Sequence, residues 1–192
     1  MWLRSHRHEY NSQEGWLNNA WGELYGGINN CNRVIELFES LVSEGSVAQA
    51  DAESFISELR VLRAYFYFLL LDAYGNIPIV TAFSGGDANP PTSSRSEVFS
   101  FVESELNESV PNLTRSKDAT TYGRFNYFAG KALQSRLYLN AGVYTGNDRF
   151  GDAIAAADEI INSGLYSLEG DYFANFNENN EGSNENLSLI HI

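Results

Sequence analysis

The sequence predicts an all-α protein built from successive helical hairpins, and three observations carry that prediction. Two long segments in the first half repeat apolar residues at alternating spacings of four and three. A polar turn, Ser43-Glu44-Gly45-Ser46, lies between them. The second segment is rich in aromatic residues and stops abruptly at Gly75 and Pro78.

The first helix is expected over about residues 13–43, where Leu17, Trp21, Leu24, Ile28, Cys31, Ile35 and Phe38 form one stripe. Such a stripe demands a partner. The second helix, over about residues 47–74, is long enough to fold back antiparallel on the first. Phe55, Leu59, Leu62, Phe66, Leu69 and Ala73 follow the same 4-3 rule, and from Ala64 to Leu71 the opposite face is apolar as well. A helix that is hydrophobic nearly all round must be covered on more than one side, which makes this one the central helix of the assembly. Gly75 is expected as a left-handed C-cap, and Pro78 keeps the helix from resuming. The apolar run is too short to cross a bilayer, which takes about 20 residues.

A linker over residues 83–93 holds Gly85, Gly86, Pro90 and Pro91, and Ser94-Arg95-Ser96-Glu97 has capping-box spacing. The third helix starts there, presents Val98, Phe101, Val102 and Leu106, and breaks at Pro111. A fourth, over about residues 126–144, is expected to bury Phe128, Ala132, Leu133, Leu137 and Val143, with Gly142 and Gly146 loosening its end. Asn147-Asp148 then caps a fifth, over about residues 149–163, that buries Ala153, Ile154, Ala157 and Ile161 and closes on Gly164. Arg60, Arg63 and Arg136 lie within or beside apolar faces, and a buried guanidinium must be paired. Glu58, Asp72 and Glu103 are the partners proposed from sequence, in structural ion pairs. Hairpins of this size, with alanine at close-contact positions, make the chain similar to tetratricopeptide repeats of irregular period.

Composition narrows the function. At 192 residues, 43% hydrophobic and 14% aromatic, the chain has material for a packed core. Its 12 basic against 25 acidic side chains give a net charge of −13, which repels polyphosphates and anionic lipid and argues against nucleic acid as a partner. Cys31 is alone and sits on an apolar stripe, so it is expected as a core residue with no internal disulfide. His6-x-His8 lacks a third ligand at useful spacing, so no metal or other cofactor is expected. Phosphate-binding glycine loops, nucleophile elbows and metalloprotease helices are all missing from the sequence, and Asp158-Glu159 reads as a solvated pair. The chain is therefore expected not to be an enzyme.

Five blocks, in order, resemble the SusD/RagB family of outer-membrane nutrient-binding lipoproteins. Trp21-x-x-Leu24-Tyr25-x-x-Ile28-x-x-Cys31-Asn32 is similar to the family's first long helix. Arg60-x-x-Arg63-Ala64-Tyr65-Phe66-Tyr67-Phe68 followed by Tyr74-Gly75-Asn76-Ile77-Pro78 is similar to its most recognisable block. Arg95-Ser96-Glu97-Val98-Phe99 resembles the start of the third helix. Gly123-Arg124-Phe125 with Lys131-Ala132-Leu133-Gln134-Ser135-Arg136 resembles the fourth, and Ala157-x-x-Ile160-Ile161-x-x-Gly164-x-Tyr166-x-Leu168 the fifth. Phe125 and Asn126 depart from the small residues commoner after the arginine.

The resemblance implies non-catalytic binding of an oligosaccharide or other nutrient at the cell surface, and delivery to a TonB-dependent, SusC-like outer-membrane transporter. It implies membrane attachment only through a lipid anchor. Family members stack aromatic faces on sugar rings and hydrogen-bond the hydroxyls. The stretch WLRSHRHEYNSQEGW, ahead of the first helix, offers that chemistry in Trp2, Arg4, His6, Arg7 and Tyr10, with His8 among them, and it has no stripe to fill. The plainer reading packs Trp2 and Tyr10 on the helical body.

Residues 1–186 are thus expected as the N-terminal helical-repeat portion of an incomplete SusD-like fold, lacking its export signal, lipobox and C-terminal half. Residues 187–192, LSLIHI, read as a non-native tail derived from a sequencing adapter. The rival expectation is an intracellular helical-repeat scaffold that binds peptides in its concave groove.

Overall fold

The hairpin expected at the start of the chain is formed by α1, Gly15–Ser43, and α2, Gln49–Tyr74, which pack along one another. This computed structural model describes residues 4, 6–178 and 180–186, so Trp2 and the 187–192 tail lie outside the described residues. Along α1 the stripe is used as its spacing requires: Ile28, Cys31 and Ile35 are buried, and Leu17, Trp21, Leu24 and Phe38 are half-buried.

Both faces of α2 are covered, as expected, but to different depths. Val61, Ala64, Phe68 and Leu71, on the second apolar face, are fully buried. Of the 4-3 stripe, Leu59, Leu62, Phe66 and Leu69 are half-buried, and Phe55 and Ala73 are exposed. The stripe faces α1, where the Phe66 ring lies so close to Gly27 that a methyl there would collide with it, and at its N-terminal end Phe55, Leu59 and Leu62 also face the loop at residues 123–125. The opposite face meets α3 and α4 and forms the centre.

The helix ends at Gly75, whose N–H donates to the Leu71 carbonyl at 3.0 Å. Its φ of 79° is positive as expected, but ψ of −95° puts it outside the left-handed helical region. Ile77–Pro78 (β1) then pairs antiparallel with Thr92–Ser93 (β2), a short ladder the sequence reading did not contain. Ser94 caps α3, Arg95–Ser109, with the expected capping box: the Ser94 N–H donates to Glu97 Oε2 at 2.7 Å, and the Glu97 N–H to Ser94 Oγ at 3.3 Å. Val98, Val102 and Leu106 are buried, and a 3-10 turn over Val110–Asn112 ends the element at Pro111.

The expected fourth helix is two helices, α4 (Tyr127–Leu139) and α5 (Ala141–Thr145), interrupted at Asn140. Phe128, Leu133 and Leu137 are buried as expected, but Val143 lies beyond the break and is 68% exposed. In α6, Phe150–Ile161, the small residues Ala153 and Ala156 are the buried ones and α6 packs along α4. Ile154 and Ile161, expected in the core, face solvent. The residue preceding α6 is Arg149, with no side-chain cap, so Asn147-Asp148 do not cap it.

The arginine expectation holds in kind, with different partners. Arg63 and Glu105 are both buried; Glu105 Oε2 accepts from Arg63 Nε at 2.8 Å and Nη2 at 2.6 Å. Glu105 Oε1 accepts from Arg60 Nε and Nη2, and Arg63 Nη1 donates to Asn32 Oδ1 at 2.8 Å. One carboxylate thereby ties α3 to α2, and through Arg63 to α1. The carboxylates expected to serve are used elsewhere: Glu58 by Arg124, Asp72 by the Tyr144 hydroxyl, Glu103 by Arg149. Arg136 lies over the Phe68 ring at 5.5 Å. Burial pushes the Cys31 thiol up to about 11, which leaves little thiolate at neutral pH. Among the described residues no helix is long and apolar enough to cross a membrane.

Candidate functional site

A knot of aromatic residues fixes the start of α1 to the end of α2. Tyr74 donates its hydroxyl to the Leu17 carbonyl at 2.7 Å, and the Trp21 ring stands edge-on to Tyr74 at 5.1 Å and 4.8 Å from Tyr25. Tyr25 in turn donates to the Pro78 carbonyl at 2.7 Å. Burial raises the Tyr25 and Tyr74 hydroxyls above their ordinary value of 10.0, so both remain neutral donors. An edge-on ring pair in this setting adds about 0.5–1.5 kcal/mol beyond its burial.

The segment ahead of α1 folds back on itself. The Glu9 N–H donates to the Arg4 carbonyl at 2.9 Å, and Arg4 Nη2 lies 2.8 Å from Glu14 Oε1, a charge contact without hydrogen-bond alignment. His8 takes a left-handed backbone, φ 57°, and Asn11 Oδ1 accepts from the Gln13 N–H at 2.9 Å to close a second turn. Those turns line up three rings. His8 is 6.4 Å from Tyr10, and Tyr10 is 6.2 Å from Trp16 in an edge-on arrangement.

Of the residues predicted for the site, Arg4, His6, Arg7 and Tyr10 are all exposed, as is His8, while Trp2 lies outside the described residues. Arg4 is held by Glu14; His8 and Tyr10 are brought together in the ring row; His6 and Arg7 stand in solvent beside them. Exposed aromatic edges next to planar nitrogen donors can engage a polyol, through ring faces against apolar C–H groups and through N–H donors to hydroxyls. Trp16 was missed. It precedes the stripe residue Leu17 and falls off that stripe, which is the signal that could have found it. Its buried indole N–H has no acceptor among the described residues.

Elsewhere a crevice of about 380 Å³ lies between the α1–α2 hairpin and the loop at residues 123–125. Phe38 and Phe55 stack nearly parallel on its wall at 5.5 Å. At its rim Arg124 is already bonded through Nε and Nη2 to Glu58, so the planar donors needed to fix a polyol are committed. Among the described residues no group of three or more His, Cys, Asp or Glu is placed to hold a metal ion.

A family profile described as "Starch-binding associating with outer membrane", SusD-like, matches residues 1–139. The starch-binding protein SusD of Bacteroides thetaiotaomicron is 35% identical over 136 residues, 69% of this chain and 24% of that protein. A SusD-like protein of Bacteroides ovatus is 30% identical over 177 residues, 87% of this chain and 32% of that protein. The fold of a SusD superfamily protein from Parabacteroides distasonis superposes with a TM-score of 0.79 at 21% identity, over 90% of this chain and 37% of that one. The chain therefore spans about a quarter to a third of the length of the relatives it matches. With a profile that covers well over half of its residues, this chain belongs to the SusD-like family.

Proposed function

We propose that this chain forms the N-terminal scaffold of a surface protein that binds oligosaccharide without chemistry and passes it to a SusC-like, TonB-dependent transporter in the outer membrane. The ligand contacts in this part of the protein are assigned to Trp2, Arg4, His6, Arg7 and Tyr10. The observation that carries the assignment is the row of exposed His8 and Tyr10 rings, backed by the half-buried Trp16, beside cationic donors on an otherwise acidic chain. The net charge of −13 favours a neutral glycan over an anionic one everywhere except at this basic turn. A carbohydrate ligand also accords with the starch binding of the Bacteroides thetaiotaomicron relative.

Calorimetric titration of the chain with maltooligosaccharides and with β-glucan oligosaccharides tests the reading. Saturable heat with one class, and none with free glucose, is the expected result. The reading fails if no oligosaccharide gives saturable heat while the chain melts cooperatively.

A further inference from the structure

The geometry points to a second sugar subsite, in a concavity of about 520 Å³ between the start of α4, the C-terminal end of α6 and the loop that carries Arg115. That volume falls within the range of about 300–1,000 Å³ that small-molecule sites occupy. Three polar side chains line it, Arg115, Asp158 and Asn162, and none of them makes a side-chain hydrogen bond or ion pair to another described residue. Its apolar wall is Phe128, edge-on to Tyr127 at 5.3 Å and to Tyr166 at 5.7 Å, together with the half-exposed Leu165.

Arg115 is the group that makes the site. Its guanidinium carbon lies 3.6 Å from the centre of the Tyr127 ring, a stacking that orients the donor plane and leaves its N–H groups unused among the described residues. Tyr127 is itself held: it is buried, its hydroxyl donates to Glu159, and Glu159 is paired with Lys131 at 2.7 Å. A donor fork fixed before the ligand arrives loses less side-chain freedom on engaging it. Across the concavity Asp158 offers acceptors, and the Asn162 carboxamide offers both a donor and an acceptor. A hydroxyl gives one hydrogen bond and takes others, so this set suits the adjacent hydroxyls of a sugar whose C–H face lies on Phe128 and Leu165. The charge of the ligand follows as well. Lys131 neutralises Glu159, Arg115 and Asp158 offset one another, and the C-terminal end of α6 is the negative pole of its helix dipole. An anion would face both Asp158 and that pole, which selects a neutral saccharide. The ligand class rests on the sugar-binding reading given above, whereas the site shares no residue with the ring row.

The test is nuclear magnetic resonance of the arginine Nε–H groups in the 192-residue chain, titrated with maltohexaose, with laminarihexaose and with trigalacturonate. The Arg115 signal is identified by its loss in Arg115→Lys, and Arg124, committed to Glu58, is the internal reference. One of the neutral oligosaccharides is expected to shift the Arg115 signal saturably while Arg124 stays still. Asn162→Ala is expected to raise the midpoint of that titration about threefold or more. An Arg115 signal that moves with neither neutral sugar overturns the inference; if the His8 and Tyr10 resonances move in the same titration, the ring row stands without it. Saturable movement at Arg115 with none at His8 and Tyr10 upholds the subsite and refutes the ring row. Trigalacturonate acting at a lower midpoint than either neutral sugar overturns the ligand class, and Arg124 moving in step with Arg115 overturns the site.

Discussion

Replacing Glu105 by alanine should cost more stability than any other single polar substitution in the chain. The carboxylate accepts four N–H bonds, two from Arg60 and two from Arg63, at 2.6–2.9 Å. Arg60 is at the rim of the network and keeps a second partner in Glu108. Arg63 is buried and keeps, among the described residues, only the Asn32 carbonyl oxygen and a Phe101 ring 6.0 Å away. An unpaired buried guanidinium of this kind costs about 3–5 kcal/mol, against about 1 kcal/mol for a surface pair. For a chain of this size that corresponds to a drop in Tm of about 6–20 °C. Because the penalty comes from the charge left behind, Arg63→Met with Glu105→Leu should recover most of it, to within about 2 kcal/mol of the parent. Urea unfolding followed by far-ultraviolet circular dichroism measures all of these. A Glu105→Ala midpoint within about 1 kcal/mol of the parent, or a double variant as unstable as the single one, refutes the argument.

Gly75→Ala should destabilise by about 1–3 kcal/mol, because φ of 79° is disfavoured for a residue with a Cβ and the new methyl would collide with the Arg95 guanidinium; an unchanged midpoint means the α2 terminus tolerates another backbone. Ser94→Ala removes the α3 cap and should cost about 1 kcal/mol, read from the same unfolding curves. Burial pushes the Tyr67 and Tyr138 hydroxyls up to about 12 from 10.0. Since the fold favours their neutral form, stability is fully present below pH 10 and should be lost as the pH rises from 10 through 12. A urea midpoint that stays flat across that window contradicts it.

Most helices were legible in the sequence because they carry their own period and stop signal, as the Ser94 box and Gly75 illustrate, whereas the break at Asn140 and the β1–β2 ladder carry none. Depth was less legible. An all-round apolar helix such as α2 offers two stripes, and the period cannot tell which one meets two neighbours, so Phe55 was placed inside and is 46% exposed. The same limit put Ile154 and Ile161 in the core of this chain: a stripe records that a partner is expected, not that the partner lies within these residues. That Arg60 and Arg63 need a carboxylate followed from their burial, but Glu105 is 42 residues from Arg63 and only tertiary packing selects it. At the candidate site, the absence of a stripe foretold the exposure of His6 and Arg7, whereas Tyr10, which the plainer reading packs on the helical body, is half exposed and edge-on to Trp16. The ring contact of Tyr10 with Trp16 is made across the turn at Asn11–Glu14, and which two rings such a turn brings together is decided by its tertiary geometry.

The claim that the turn ahead of α1 binds sugar is tested most directly by one paired measurement on Tyr10→Ala and Trp2→Ala: calorimetric titration with the oligosaccharide the parent chain binds, beside a melting curve. Tyr10 is 49% exposed, so its removal opens no core cavity of the kind that costs about 3–5 kcal/mol. The account predicts that Tyr10→Ala and Trp2→Ala each weaken binding several-fold while Tm stays within about 2 °C of the parent. Melting several degrees lower, with the remaining folded protein binding at the parent's affinity, would contradict it and place the sugar contacts elsewhere in the protein.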